Sequence, residues 1–397
     1  MQTFQIIDDK QDCFGVYSGG HFTYDRIPNT YGRTFGWSPH LLGRDIEYAY
    51  LFSGGKSFSK ACPVHLRERF EIRERKIKSF VNSFLNAKID IQDACLFDLI
   101  PRQHLKHWLD VRNQICEHIF ETHERPANYS FLKNAYEMTR EISLQPLKIN
   151  WELLEQLALK DEKAKSLLKR TSGKRNFINY NLFGTKTGRL SIREGSFPIL
   201  NVKTKNKKVL IPKNDWFVEL DYNGAEIRTL LSMSGLKQPQ EDIHSWNIEN
   251  IFSRVKTREG AKKKFFAWLY NPENKDPEIE KYYNREKVLE KYYRNGVVTT
   301  PFGRKIEADS FHSLNYLLQS SSSDNCITQI SKIHKFLKNK KSNVAFVVHD
   351  SVVIDLAESE YMILDQIREI FQDTRLGKFP VNVKIGRNYG ELRSFQW

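Results

Sequence analysis

The chain has 397 residues, with 62 Lys+Arg against 48 Asp+Glu for a formal charge of +14, and 40% hydrophobic and 13% aromatic residues. That length suits two or three domains with a proper core, and the apolar content excludes a disordered chain. No run approaches the roughly 18 apolar residues of a membrane span, and Met1-Gln2-Thr3-Phe4 lacks a signal peptide's basic-then-apolar order. Cys13, Cys62, Cys95, Cys116 and Cys326 form no CxxC or CxxxC pair, so neither a disulfide scaffold nor a structural zinc site is indicated. The reading is a soluble protein of a reducing, cytoplasmic compartment, in which the Asn128-Tyr129-Ser130 sequon is idle.

Residues 1 to about 60 are rich in Gly, Tyr and Phe and read as short strands joined by turns. From His65 to about Ser143 the pattern turns helical, with Leu66/Phe70/Ile77/Phe80/Phe84 and Leu105/Trp108/Leu109/Ile115/Ile119 near helical spacing. Pro63, Pro101 and Pro126 divide this stretch into separate helices. Asn150–Leu168 reads as one further charged helix or two short ones, and the Ser172-Gly173-Lys174-Arg175 turn ends the helical half. Trp216–Leu220 is then a short apolar strand running into Asp221. Helices are expected over 244–253, 257–270 and 279–294, the last closed by Gly296 as a C-cap. Val344–Val348 and Val352–Leu356 are β-branched runs around His349-Asp350-Ser351, a hairpin signature.

The positive excess is clustered, at Lys169/Arg170/Lys174/Arg175, Lys203/Lys205/Lys207/Lys208, Lys262/Lys263/Lys264 and Lys338/Lys340/Lys341. Clustered Lys/Arg suits a phosphate-backbone partner, because each neutralised phosphate releases counterions, although a solubilising surface has the same composition. Asp221 and Asp350 both sit at strand ends, where an Asp also serves as an ordinary turn residue. Taken together and facing a basic helix, they suggest a site for hard divalent cations. That helix carries Arg258, Lys262, Phe266 and Tyr270 four apart. Each step of four adds only about 40° beyond a full turn, which keeps all four on one broad side. Arg and Lys one turn apart can hold a polyphosphate and the aromatic pair can stack on a base, while spacing alone leaves open that Phe266 and Tyr270 are core. Thr187-Gly188-Arg189 offers close backbone approach and a cation, and Asn315 with Gln319 forms an i, i+4 amide pair.

In this order the pieces resemble the polymerase domain of family A DNA polymerases. Thr187–Ser191 resembles that family's TGRLS segment, and Asp221-Tyr222-Asn223-Gly224-Ala225-Glu226-Ile227-Arg228 its motif A, DYSQIELR. Asp242-Ile243-His244 matches DIH, and Arg258…Lys262…Phe266…Tyr270 the motif B helix RxxxKxxxFxxxY. Gly296–Arg304 resembles GYVETxxGR, Asn315…Gln319 matches NxxxQ, and Val348-His349-Asp350 the VHD of motif C. The resemblance implies an α+β right-hand polymerase fold: a palm with an antiparallel sheet, helical fingers, a much-reduced thumb and a small N-terminal α/β region like a degenerate exonuclease. The implied boundaries are 1–145 for the N-terminal region, 146–178 for the thumb, 179–243 and 296–397 for the palm, and 244–295 for the fingers.

By the same resemblance Asp221 and Asp350, with the backbone of Tyr222, hold two Mg2+ ions, Mn2+ being an admissible substitute. Arg258, Lys262 and His244 grip the dNTP phosphates, and Phe266 packs on sugar and base. Tyr270 occupies the templating-base position, and Glu226 is the steric gate against a ribose 2′-hydroxyl. Thr187, Arg189, Asn315 and Gln319 follow the primer-template, and His349 the primer terminus. Dependence on primer-template DNA and dNTPs is implied, with no membrane partner. The short thumb and the unrecognised exonuclease acids (Asp45-Ile46-Glu47 is the only DxE at the N-terminal end) imply low processivity and no proofreading. They leave a role for a helicase, a clamp or a separate exonuclease, and the compactness resembles polymerases of bacterial viruses. Three positions depart from the family: Gly224 stands for Gln, Ser351 for a second acid after motif C, and Asn271 for the Gly after Tyr270. Because His-Asp-Ser is also the form of single-subunit phage-type RNA polymerases, that class is the alternative reading, and a catalytically silent nucleic-acid-binding subunit is a third. Glu226 weighs against the first, and the retention of Asp221, Asp350, Arg258 and Lys262 against the second.

Overall fold

The computed structural model describes residues 1–395 apart from 11–12, 25, 92 and 172–175. The Ser172–Arg175 turn, with Lys174 and Arg175 of the first basic cluster, lies outside the described residues. The chain divides into two compact units, Met1–Glu137 and Met138–Trp397. Among the described residues no helix is long and apolar enough to cross a membrane.

Unit 1 opens with the short strands expected from its Gly- and Tyr-rich sequence: β1 Gln2–Thr3, β2 Gln5–Asp8, β3 Gly15–Ser18, β4 His21–Tyr24, β5 Tyr31–Thr34 and β6 Glu47–Tyr48. Strands β2, β3 and β4 form an antiparallel meander, whereas β5 pairs in parallel with β1 on one side and β6 on the other. Helices α1 Val64–Asn86 and α2 Arg102–Thr122 each start directly after a proline (Pro63, Pro101). Proline is costly inside a helix but harmless where the first N–H groups have no intrahelical acceptor. The helices bury Leu66, Phe70 and Ile77 from α1 and Leu105, Leu109, Ile115 and Ile119 from α2, residues that helical spacing singles out. Each such side chain stabilises the fold by about 1.5–3 kcal/mol relative to exposure. One expectation is corrected here. Cys13 and Cys95 are joined as a disulfide with Cα atoms 5.5 Å apart, a pairing over 82 positions that no local spacing reveals.

In unit 2 the charged stretch after Asn150 resolves into two helices, because it contains two caps. Helix α3 Tyr129–Leu144 crosses the unit boundary, and α4 Trp151–Ala158 and α5 Glu162–Thr171 follow. The Asn150 side chain accepts from Leu153 N at 3.0 Å, and Asp161 accepts from Ala164 N at 3.2 Å. Next come β7 Trp216–Tyr222, α6 Ala225–Met233, α7 Ile243–Asn250, α8 Arg258–Tyr270 and α9 Arg285–Tyr292. The expected helix 279–294 is interrupted: Pro277–Glu280 forms one turn, and α9 starts at Arg285 with Asn284 as its cap. Gly296 is not a C-cap. Asn295 and Gly296 have φ of +51° and +76° and make the tight turn between β8 Tyr293–Arg294 and β9 Val297–Thr299, the left-handed Asn-Gly pair that hairpins favour. Strand β10 Lys305–Glu307 completes that small sheet.

Helix α10 Ser313–Leu337 then runs through the unit, followed by β11 Asn343–Val348, β12 Ser351–Leu356, α11 Leu364–Gln372, β13 Val381–Gly386 and β14 Arg393–Ser394. The main sheet is antiparallel in the order β11-β12-β7-β13-β14. Phe217, Val218, Leu220, Val352, Ile354 and Phe346 are buried in it, and the Tyr222 ring stacks on Phe371 of α11 at 4.2 Å. A second core joins Ile227, Leu230 and Leu231 of α6 with Ile243 of α7, Phe265, Trp268 and Leu269 of α8, and Leu317 of α10. Helix α10 buries polar residues as well, Ser320–Ser323 and Asp324 among them, and serine is small enough to let neighbouring backbones close in around it.

Candidate active site

Asp221 is the penultimate residue of β7, directly opposite Ser351 on β12 and Asn382 on β13. Asp350 lies in the turn joining β11 to β12, which the Ser351 hydroxyl closes by donating to Val348 O at 2.9 Å. His349 in that turn holds φ of +53°, an uncommon conformation for a non-glycine residue that His tolerates better than most. The hairpin therefore presents Asp350 at the end of the strand that carries Asp221. Asp350 Oδ1 is buried and has no hydrogen-bond partner among the described residues. Burial, and then the negative charges of Glu219 and Asp350, push the Asp221 carboxyl up to about 6 against the pull of Lys384 and Lys262. Burial also raises Asp350, with Arg189 and His349 opposing it. Two carboxylates that resist ionisation side by side, one with an unsatisfied buried oxygen, are the donor set a hard divalent cation would satisfy. Tyr222, whose backbone follows Asp221, anchors the strand end by donating its hydroxyl to Phe371 O at 2.6 Å.

Helix α8 supplies the opposing wall. Thr257 caps it, and Phe266 stacks on Tyr270 at 5.6 Å with His244 tilted against Phe266 at 6.2 Å. Lys262 is exposed and near enough to lower the Asp221 carboxyl. Arg258 is paired with Asp242, at 3.2 and 3.0 Å. Burial would raise the Asp242 carboxyl, yet hydrogen bonds from Arg258, Asn223 and Ser245 N hold it well below the usual carboxylate range. Burial, aided by Arg258 and Lys262, pulls His244 down to about 4 despite Asp242, so its imidazole is neutral at pH 7. Its Nδ1 is buried without a partner among the described residues. His244 is therefore a hydrogen-bonding group here and not a third cation.

Glu226, in the first turn of α6, joins the two sides. Its carboxylate accepts from Arg189 Nη2 at 2.6 Å and from the Tyr270 hydroxyl, and burial raises its carboxyl against the pull of Arg189. Thr187 is buried, while Asn315 Oδ1 on α10 is buried without a partner among the described residues and Gln319 is half-buried one turn on. A small cleft lined by Tyr270, Phe311, Leu314 and Asn315 opens beside that helix. His349 is exposed at the hairpin tip.

Two departures have local causes. Gly224 has φ of +67° as the residue before α6, and an added Cβ would come within 2.4 Å of Ile243 Cγ2, so a side chain there would be strained and would have to displace Ile243. Asn271 ends α8 with φ of −111°, a conformation that needs no glycine, and its side chain accepts from Glu273 N at 3.0 Å. Several supports of the site carry no local sequence signal. Arg228, fully buried, donates to Asn223 O, Pro239 O and Glu241 O and so fixes the loop leading to Asp242 and His244. Arg304 makes a paired contact with the buried Asp324 at 3.0 and 2.7 Å beneath Gly188. A Cβ on Gly188 (φ +74°) would come within 2.4 Å of the Arg304 guanidinium carbon. Gly188→Ala is accordingly expected to destabilise the protein by about 1–3 kcal/mol and to weaken the Arg189–Glu226 pair, readable as a lower thermal midpoint. A midpoint equal to wild type would show that the turn adapts.

An antiparallel sheet that sets two carboxylates against a helix of cationic and aromatic residues is the arrangement of an α+β polymerase. Residues 97–391 match the sequence model of DNA polymerase family A, and the chain belongs to that family as a DNA-directed DNA polymerase. Its fold is similar to the POL domain of Pol1 from M. smegmatis, solved in complex with DNA primer-template and dNTP. The TM-score is 0.66 at 12% identity, covering 98% of this chain and 95% of that one. No curated protein matches it in sequence.

Proposed function

We propose that this polymerase copies a DNA template by adding dNTPs to a primer 3′ end with two divalent cations, Mg2+ by preference, held by Asp221, Asp350 and the backbone of Tyr222. The observation that carries this is the unsatisfied buried oxygen of Asp350 beside the raised carboxyl of Asp221. When bound, the cations would lower the pKa of the primer hydroxyl and neutralise charge on the leaving pyrophosphate. In the transfer the primer 3′ oxygen bonds the α-phosphorus while the bond to the bridging oxygen breaks. Lys262 offers its exposed ammonium to the triphosphate. Arg258 is held by Asp242 and must exchange that partner for a phosphate, so nucleotide entry is coupled to release of the Asp242 pair. His244 donates to a phosphate oxygen from its neutral ring, and Phe266 packs on sugar and base. Tyr270 fills the templating position until it is displaced, and Glu226 blocks a 2′-hydroxyl. Thr187, Arg189, Asn315, Gln319 and His349 line the path of the primer-template.

In the same reading the main sheet is the palm (179–243 and 296–397), 244–295 the fingers, 146–178 a reduced thumb and 1–145 a non-catalytic exonuclease-like remnant. Supporting the last, Asp45 and Glu47 are engaged by Lys133 at 3.5 Å and Arg125 at 3.3 Å. Among the described residues of unit 1, the only cluster of three His, Cys, Asp or Glu side chains close enough to share a metal ion is Asp8, Cys13 and Cys95, whose thiols are already bonded to each other. A reduced thumb would give low processivity and, with no working exonuclease, leave a role for a helicase, a clamp or a separate exonuclease. Primer extension tests the whole reading: dNTPs should extend a primed DNA template, and a mismatched terminus should persist unexcised. Preferential extension with rNTPs would instead identify the phage-type RNA polymerase alternative.

A further inference from the structure

Side chains alternate between the two faces of a strand, so Glu219 stands on the same face of β7 as Asp221, about 7 Å before it. The intervening Leu220 and the following Tyr222 point into the core. Opposite Asp221 on β12 is the uncharged Ser351, and opposite Glu219 on β13 is Lys384. The Glu219 side chain is only 14% exposed, yet Lys384 Nζ lies 3.6 Å away and the Tyr389 hydroxyl donates at 3.4 Å. Tyr389 is itself held by Lys207 Nζ, 3.2 Å from its hydroxyl and 4.3 Å above its ring. An ion pair or charge-assisted hydrogen bond built to stabilise the sheet would be shorter than either contact. Glu219 is a sheltered acid with loose partners, on the face of the strand that ends in Asp221.

We propose that Glu219 is the third carboxylate of the cation site, a positioning residue that strengthens cation binding at Asp221 and Asp350 through its charge. Lys384 sets how much of that charge is felt. The proposal rests on the reading of Asp221 and Asp350 as the cation ligands. Backbone positions about 7 Å apart on one face, in a half-buried setting, leave a charge–charge interaction large enough to matter without direct contact. The exposed side of Lys384 attenuates it, and salt should attenuate it further.

Mn2+ binding to the full chain, followed by electron paramagnetic resonance without DNA or nucleotide, tests this directly, with metal-free thermal melting alongside. Glu219→Gln is expected to weaken Mn2+ binding about 3- to 10-fold, Glu219→Asp to restore most of it, and Lys384→Met to tighten it. Extension by Glu219→Gln should recover at raised Mg2+ concentration. If Glu219→Gln binds Mn2+ as wild type does while Asp221→Asn does not, the inference is overturned and the cation site stands. Undiminished Mn2+ binding by Asp221→Asn would sink both. Should Glu219→Gln lose its cooperative melt, Lys384→Met decides alone, and an unchanged affinity there overturns the proposal.

Discussion

Asp221→Asn or Asp350→Asn is expected to lower single-nucleotide incorporation by about 10³-fold or more while primer-template affinity stays near wild type. Each substitution keeps the side chain's volume and removes one anionic donor from a pair with no other acid directly opposite, because Ser351 faces Asp221 across the sheet. Stability should move the other way. The Asp221 carboxyl stands at about 6 in the folded protein against an ordinary value of 3.8, so the folded state holds the proton more tightly than the unfolded chain does. The stability this contributes is fully present below about pH 3.8 and is lost as pH rises through about 6. At pH 7 without divalent cations, Asp221→Asn should therefore melt higher than wild type, and at pH 4 the two should converge. Added Mg2+ or Mn2+ should raise the wild-type midpoint and leave the variant's unmoved. A variant that melts lower than wild type at pH 7 in chelator would mean that Asp221 is a structural acid, and the cation assignment would fall with it.

Much of this site can be read from the amino-acid sequence because its determinants are local. An apolar strand that terminates in Asp221, the β-branched runs around Asp350 and the four-residue spacing on α8 depend on neighbours within one element. What cannot be read depends on residues brought together by the sheet or by the buried helix. Glu219 in a strand sequence reads as a solvent-face residue, and only the register with Lys384 and the shared face with Asp221 give it a role. Gly296 follows a helical stretch and so resembles a cap, although Asn295 beside it is the stronger turn signal and the two left-handed φ values decide the matter. Helix α10 escapes periodicity because its buried face contains Ser320–Ser323 and Asp324, polar residues whose burial depends on close packing and on Arg304. The Cys13–Cys95 pairing likewise arises from chain topology. Arg258 illustrates a middle case: its position on α8 is legible, whereas its pairing with Asp242 is visible only in three dimensions.

The second large effect is expected for Glu226. Its carboxylate is held from two sides, by Arg189 and by the Tyr270 hydroxyl, in a partly buried setting where a held carboxylate cannot easily swing away. A 2′-hydroxyl entering this space would meet an immobile acid, which is why the gate reading needs both partners and not the acid alone. Glu226→Ala should reduce the preference for dNTPs over rNTPs by about 10²-fold, mainly by raising rNTP incorporation, while dNTP incorporation falls by about 10-fold as Tyr270 loses its partner. Glu226→Gln separates the two roles, since it keeps the bulk and the Tyr270 contact but gives up the ion pair with Arg189. Its discrimination should stay within about threefold of wild type while its dNTP incorporation weakens. Single-turnover incorporation of matched dNTP and rNTP at saturating primer-template measures both quantities. If Glu226→Ala discriminates as well as wild type, the acid is only a tether between Arg189 and Tyr270, and sugar selection must come from Phe266 and the backbone around it.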